Sequence, residues 1–400
     1  MSAHTLTGKA LVNGLARFTD QVFTLGELQA RVSSGRQLRV KFGVDVTAPD
    51  LHVGHAVNLR VLRMFQEAGH KVIFLVGSFT TQIGDPTGKN AARPEISMDE
   101  IRRNAELFIK QAKMVLIDDP NLLEVRINSE WFDRMSAAEL LRLMKLVTVA
   151  KLESRDMFRA RVSRGEDIHA HELAYPLLQA WDSVVLEADV ALCGSDQIFN
   201  ETLGREFQRR HGQEPQIVLT TKIVKGLDGQ NKQSKSLGNF VGLNDTARDK
   251  FGKVMTLPDE LIIDWMLVHS DLPLDVVAEA ERTLRDRPMH WKKVLAHAIV
   301  EMFHGTVVAD AEQAWFEQTF QARQVPEDLP VIVVPGSPVN LFQVVREAND
   351  LSINQVRELF RGGAIRLNDQ QITDSETPVD VKSGDILRTG RRKMYRIQLA

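Results

Sequence analysis

The sequence predicts an α/β protein built on a doubly wound parallel sheet with a helical insertion, followed by a helical segment and a small α+β module. Three observations lead there. The short apolar runs Leu38 to Val44, Val72 to Val76 and Ala188 to Cys193 suit fully buried strands. Each run passes through turn residues into a helical segment, and strands alternating with helices build parallel βαβ units. Finally, a stretch with three prolines, 326–337, separates residues 338–400 from the rest as a connector would.

The bulk numbers bound the function. Four hundred residues, 43% hydrophobic and 26% charged, describe a globular chain of two or three domains. A net charge of −3 carries no overall polyanion signal, so any nucleic-acid surface must come from local basic patches. The single cysteine, Cys193, excludes an internal disulfide and a multi-cysteine zinc site, as expected in a reducing cytoplasm. No basic-then-apolar leader stands at the N-terminus, and no apolar run approaches the roughly 20 residues of a membrane span. A cytoplasmic protein with no membrane partner is expected.

In chain order, residues 1 to about 37 read as helical, with Phe18, Val22, Leu25, Leu28 and Val32 at three- and four-residue steps. The first strand then opens into the turn Asp45 to His55, and Val57, Val61, Leu62 and Phe65 form one face of the helix beyond it. His52-Val-Gly54-His55 thus sits where strand becomes helix. Free backbone N–H groups and the helix dipole favour phosphate there, and Gly54 lets a ligand approach the backbone. After the second strand comes the turn-rich segment Ile83-Gly-Asp85-Pro-Thr-Gly-Lys89, followed by Arg93. Ligands bind at the carboxyl ends of strands in such sheets, so Asp85, Lys89 and Arg93 are expected to face the same crevice as His52 and His55. A solvated charged loop is the alternative.

Residues 98 to about 165 carry helical periodicity and read as an insertion whose apolar face from Leu140 to Val149 serves either a subunit contact or the core. In His171 to Asp182, steps of three and four place Tyr175, Gln179 and Asp182 on one helical face. The strand ending at Cys193 opens into Gly194-Ser-Asp196-Gln197, a second strand-to-helix turn in which Asp196 is either a ligand contact or an N-cap. Pro215 to Thr221 is another short apolar strand, and Gly226 to Asn239 is loop by composition. That loop holds Lys232-Gln-Ser-Lys235-Ser, which by itself is a solvated basic turn more often than a catalytic one. Residues 249–325 are helical. In 338–400, ten basic residues stand against eight acidic, a net of +2, with Arg357, Arg361, Arg366, Arg391, Arg392 and Lys393 among the clustered basics. Such a patch suits RNA phosphates, with scattered surface charge as the alternative.

With these motifs in this order, the chain resembles the bacterial tyrosyl-tRNA synthetases nearly end to end. His52-Val-Gly-His55 is similar to the HIGH signature of class I aminoacyl-tRNA synthetases, and Lys232-Gln-Ser-Lys235-Ser to their KMSKS loop. The resemblance implies a Rossmann-like catalytic domain over 1–248 with its insertion at about 98–165. It further implies an α-helical anticodon-binding domain over 249–325, a linker over 326–337, and an RNA-binding domain of ribosomal-protein type over 338–400. Activation of L-tyrosine by ATP and transfer of the tyrosyl group to tRNA(Tyr) would follow. ATP would be a substrate with Mg2+ held mainly through its phosphates, with no prosthetic group, and the enzyme a homodimer.

Position by position, the resemblance implies that Asp45, Thr47, His52, Gly54, His55, Gly194, Asp196, Lys232 and Lys235 line the ATP site. Thr47 and His52 would act on the γ-phosphate, and His55, Lys89, Arg93, Lys232 and Lys235 would complete the catalytic donors. Asp85, Tyr175 and Gln179 match the cage for the α-ammonium, Asp182 the acceptor of the tyrosine hydroxyl, and Gln197 a further tyrosine contact. Attack by a carboxylate on the α-phosphate needs alignment and charge stabilisation rather than a protein nucleophile, which is what such donors supply.

The sequence departs from the family's usual residues at several positions. Gln233 stands for methionine in the lysine loop, Val46 for proline, Ser78 for aspartate, Cys193-Gly-Ser195 for Gly-Gly-Thr, and Trp181 for a small residue beside Asp182. Lys41 takes the place where one branch has a tyrosine touching the substrate hydroxyl. Two other readings therefore stay open: a relative that activates a tyrosine analogue or serves a biosynthetic pathway, and a non-catalytic RNA-binding protein. Retention of His52, His55, Lys232 and Lys235 weighs against the second.

Overall fold

The structure, a computed structural model, describes residues 6–46, 51–86, 96–234, 237–321, 329–390 and 393–400. The chain divides into two compact units, 1–310 and 311–400.

The first unit is built on a six-stranded sheet. Its strands are β1 (Thr19–Phe23), β2 (Arg39–Val44), β3 (Lys71–Val76), β4 (Leu123–Ile127), β5 (Val190–Cys193) and β6 (Ile217–Thr221), in the spatial order β1-β6-β5-β2-β3-β4. β2 to β6 run parallel and β1 is antiparallel at the edge. From β2 the chain winds outward through β3 and β4, then returns to the other side of β2 as β5 and β6. The switch point of the sheet therefore lies between β2 and β5, where a crevice opens beyond the strand ends.

One sheet face is covered by α1 (Gly8–Phe18), α2 (Leu25–Ser33), α3 (Val53–Glu67) and α5 (Met98–Ala112), with the short α4 (Ser78–Ile83) between the last two. Leu15, Val61, Leu62, Phe65, Ile101 and Phe108 from these helices join Val40 and Phe74 of the strands in one core. Each such side chain contributes about 1.5–3 kcal/mol on burial. The helices Ala170–Val185 and Ile198–Arg210 pack on each other through Leu177, Ala180, Val184, Leu203 and Phe207.

Two sequence expectations change here. The segment before residue 38 is not continuous helix: β1 interrupts it and pairs with β6, Val22 opposite Leu219 and Phe23 opposite Val218. The apolar spacing survives because helix, strand and helix each present one face inward, but Leu25 is half-exposed. Helical periodicity over 98–165 is also broken, by β4. Its sequence Leu-Glu-Val-Arg-Ile alternates as a half-buried edge strand does, so no apolar run marks it. The insertion proper is the set of short helices between Ser129 and Ser163. Helices between Ala247 and His304 complete the unit around buried Trp265, Met266, Leu295 and Ile299.

The second unit has a five-stranded sheet of β7 (Val331–Val334), β8 (Ile365–Leu367), β9 (Gln370–Gln371), β10 (Ile386–Thr389) and β11 (Lys393–Leu399), ordered β7-β11-β10-β8-β9. The helices Leu341–Asn349 and Ile353–Arg361 cover it through Val345, Val356 and Phe360. Part of the expected linker 326–337 is thus β7, parallel to β11. Pro330 and Pro335 flank the β-branched run Val-Ile-Val-Val without entering it, which leaves every ladder N–H intact. Residues 326–328 of that linker lie outside the described residues.

Candidate active site

Beyond the carboxyl ends of β2 and β5, two cavities of about 200 and 630 Å³ open side by side. Asp45, Asp85, Gly194 and Gln197 line both.

The smaller cavity is furnished by the helix Ala170–Val185, whose spacing turns Tyr175, Gln179 and Asp182 into it together. At one end the Tyr175 hydroxyl donates to Asp45 Oδ2 at 2.9 Å, and Thr80 Oγ1 donates to Asp45 Oδ1 at 2.8 Å. Burial, reinforced by the Asp45 and Asp85 charges, pushes the Tyr175 phenol well up, so it remains a neutral donor. Beside it, Gln197 Nε2 donates to Asp85 Oδ2, and Asn200 Nδ2 donates to the side-chain oxygens of both Gln197 and Gln179, all at 2.8 Å. This end is rich in oxygens and suits an ammonium.

At the other end Asp182 is buried, accepting a 3.0 Å bond from Trp131 Nε1. Burial pushes its carboxyl up to about 8, although the Lys41 charge and hydrogen bonds from Trp131 and Asn128 pull it down. Lys41 lies in the floor, donating to Ser183 Oγ at 2.7 Å and Glu201 Oε2 at 2.8 Å. Cys193 also lines the cavity, and burial pushes its thiol up, so it is uncharged. The chamber therefore has an acceptor for a hydroxyl at one end and for an ammonium at the other.

The larger cavity lies against the start of α3. His52 caps this helix: its Nδ1 accepts the Gly54 N–H, while His55 Nδ1 accepts the His52 N–H, both at 3.2 Å. With Nδ1 accepting in each ring, the proton of a neutral imidazole belongs on Nε2, a donor for phosphate oxygen. A Cβ on Gly54 would lie 2.9 Å from the His52 ring, so this turn has no room for a side chain. The lysine loop returns to the same place. Val53 N–H donates to Val241 O and Leu243 N–H to Leu51 O, each at 2.9 Å, forming an antiparallel bridge around His52 and Gly242.

Within that loop Lys232 is exposed along the cavity, whereas Gln233 is buried with Nε2 3.0 Å from His269 Nε2. Burial, with help from Arg60 and His52, pushes His269 down to about 3, so it is neutral and accepts from the amide. Asn239 holds the loop's base: its Oδ1 accepts the Ser234 N–H at 2.7 Å and its Nδ2 donates to Asp228 Oδ2 at 2.9 Å. Across the cavity, Asp196 is exposed and caps no helix with its side chain.

The fold therefore brings Asp45, Asp85, Tyr175, Gln179, Asp182, Gly194 and Gln197 to the smaller cavity. His52, Gly54, His55, Asp196 and Lys232 line the larger. Thr47, Lys89, Arg93, Lys235, Arg391 and Arg392 lie outside the described residues. Arg357, Arg361, Arg366 and Lys393 are exposed on the second unit.

Trp181 does not crowd the pocket beside Asp182. One residue along a helix turns the side chain by about 100°, and the Trp181 ring packs edge-on to His211 at 5.1 Å, next to the Leu177 and Phe207 cluster. Val46 and Ser78 are likewise absorbed in packing and backbone contacts, Val46 N–H to Thr81 and the Ser129 N–H to Ser78 Oγ. Sequence reasoning missed Trp131, Asn128, Glu201 and His269, each recruited from a distant element. The only available signal was a lone polar residue or tryptophan in a helical segment, which local periodicity leaves unassigned.

Comparison with known proteins shows the family of the chain and its fold. The sequence model for "tRNA synthetases class I (W and Y)" matches residues 33–321. The chain is 40% identical to the tyrosine–tRNA ligase of Thermotoga maritima, covering 98% of both proteins. It is 39% identical to that of Aquifex aeolicus, covering 95% of this chain and 96% of the relative. Among solved structures, a C-terminally truncated mitochondrial tyrosyl-tRNA synthetase of Aspergillus nidulans superimposes with a TM-score of 0.66 at 22% identity, covering 80% of this chain and 97% of that one. The tyrosyl-tRNA synthetase of Aeropyrum pernix gives 0.60 at 22% identity, covering 79% and 99%.

Proposed function

This chain belongs to the class I tRNA synthetases of the W and Y type, and we propose from that premise that it is a tyrosine–tRNA ligase. It joins L-tyrosine to ATP, releasing pyrophosphate, and passes the tyrosyl group from the adenylate to the terminal adenosine of tRNA(Tyr). The observation that carries this reading is the smaller cavity, with the buried Asp182 at one end and the Asp85, Gln197 and Gln179 oxygens at the other.

In the first step the tyrosine carboxylate attacks the α-phosphorus and the bond to pyrophosphate breaks. Asp182 accepts the phenolic O–H, while Asp85, Tyr175 and Gln179 surround the ammonium. Together they aim the carboxylate toward the larger cavity. Imidazole N–H groups of His52 and His55, with Lys232, stabilise charge moving onto the leaving group. Thr47, Lys89, Arg93 and Lys235 take the same part in this reading. Gly194 leaves room for the nucleoside, and Asp196 accepts from its ribose. Magnesium enters with the ATP phosphates as part of that substrate. In the second step a ribose hydroxyl of the tRNA attacks the adenylate carbonyl and AMP leaves.

The helical segment 249–325 is assigned to anticodon binding and residues 338–400 to RNA binding, supported by exposed Arg357, Arg361, Arg366 and Lys393. A homodimer is supported by the exposed Leu141, Met144 and Val149 of the insertion. A cytoplasmic site of action follows from the chemistry and suits the free Cys193. Among the described residues, no helix is long and apolar enough to cross a membrane.

ATP–pyrophosphate exchange with each amino acid tests the proposal. Exchange dependent on tyrosine supports it, and exchange only with a modified phenol would transfer the activity to an analogue. Trp181, facing away from the cavity, removes one steric motive for that alternative.

A further inference from the structure

In the floor of the smaller cavity lies a buried ion pair that no step above uses. Lys41 and Glu201 are 1% and 3% exposed and meet at 2.8 Å. Burying two charges is costly, and the whole pair is often replaceable by apolar residues without loss of stability, so stability alone is a poor reason for it. Its hydrogen bonds point to another. Both Glu201 oxygens are engaged: Oε2 accepts from Lys41 and Gln216, and Oε1 from Gln179 Nε2, each at 2.8 Å.

The last bond fixes the sense of the Gln179 amide. With Nε2 committed to Glu201, the carbonyl Oε1 of this cavity-lining side chain must point the other way, where it accepts from Asn200 at 2.8 Å. Flipped by half a turn, the same amide would aim its oxygen at the Glu201 carboxylate and its N–H donors at Asn200 and at an incoming ammonium. Like would then face like at both ends. Lys41 and Gln216 in turn hold the carboxylate so that Oε1 faces Gln179.

We propose that Glu201, held by Lys41, is a positioning residue for amino-acid recognition: it locks the Gln179 amide so that its oxygen is presented to the substrate ammonium. The assignment rests on the tyrosine reading of the smaller cavity. Lys41, Glu201, Gln216 and Gln179 are not among the residues lining the larger cavity, so the effect belongs to tyrosine binding and not to ATP.

The decisive protein is the full chain carrying Lys41→Met and Glu201→Leu together. It removes both charges at once, and Glu201→Leu alone would leave Lys41 buried without its partner. The parent, this double variant, Gln179→Leu and the triple variant are compared by tyrosine-dependent ATP–pyrophosphate exchange, with folding followed by circular dichroism. The expected result is a KM for tyrosine raised tenfold or more in the folded double variant, with the KM for ATP within twofold of the parent. The triple variant should be no worse than Gln179→Leu, because Glu201 acts through that amide. Glu201→Gln in the parent should also raise the tyrosine KM, since its own amide can meet Gln179 in either sense. A folded double variant with an unchanged tyrosine KM would overturn the assignment, as would equal rises for tyrosine and ATP or additive effects in the triple variant. No tyrosine-dependent exchange in the parent would instead remove the functional reading on which it rests.

Discussion

A carboxylate buried as deeply as Asp182 is held neutral unless something meets its charge. Its carboxyl is pushed up to about 8, and a tyrosine hydroxyl is the donor that would favour the ionised form. Affinity for tyrosine should therefore rise as pH increases toward 8 and level off above it, a trend absent from Asp182→Asn; calorimetric titration across this range checks it. The sign for stability is the opposite. A folded value above the ordinary ~3.9 of an unfolded aspartate means that the ionised residue opposes folding. Asp182→Asn should gain on the parent in thermal melts as pH rises from about 4 to about 8, and hold that gain above. Asp182→Ala should lose most of the preference for tyrosine over phenylalanine, and an unchanged ratio of kcat/KM values would contradict the role. Trp131→Phe removes the indole donor at 3.0 Å and leaves a buried oxygen short of one bond, at a cost of about 1–3 kcal/mol. That variant should weaken tyrosine binding while leaving the KM for ATP alone.

At the scale of elements, the start of α3 and the lysine loop form one device. The bonds from Val53 to Val241 and from Leu243 to Leu51 sew a strand-like segment of the loop to the helix cap, and Asn239 ties the loop's base together. Asn239→Ala would release the Ser234 N–H and the Asp228 contact, together worth about 1–3 kcal/mol. The KM for ATP in exchange should rise about tenfold, the equivalent of 1.4 kcal/mol, with the KM for tyrosine unchanged. Each half of this device was legible separately: His52 to His55 as a strand-to-helix turn, Lys232 to Ser236 as a basic loop. Their meeting at one ATP site was implied by the family resemblance alone, and the two-bond bridge that makes it was not legible, because residues almost two hundred positions apart leave no local period. The face of Tyr175, Gln179 and Asp182 was fully legible, since a helix converts spacing directly into direction.

At the scale of the molecule, the second unit has its own sheet and its own core around Val345, Val356, Phe360 and Leu387. Its first strand, β7, begins at Val331, so a truncation at residue 338 would strip a strand from its sheet. Truncation before residue 329 removes the whole of this sheet together with the two helices that cover it. It should leave tyrosine-dependent exchange within about twofold of the parent while tRNA charging falls tenfold or more, given the salt-sensitive contribution of phosphate contacts. Equal loss of both activities would mean that the module supports the fold of the first unit.

The sequence by itself determined the doubly wound sheet, the order of its motifs and the helical face that furnishes the smaller cavity. These follow from backbone periodicity and burial, which are written locally. It misread β1, β4 and β7, because an edge strand buries only part of itself and its pairing depends on a partner elsewhere in the chain. Only the tertiary structure decided that Trp181 turns away from the cavity, that Trp131 meets Asp182, and that Lys41 and Glu201 lie beneath Gln179. Those contacts join side chains from different elements, and which of them meet is settled by how the helices cross the sheet.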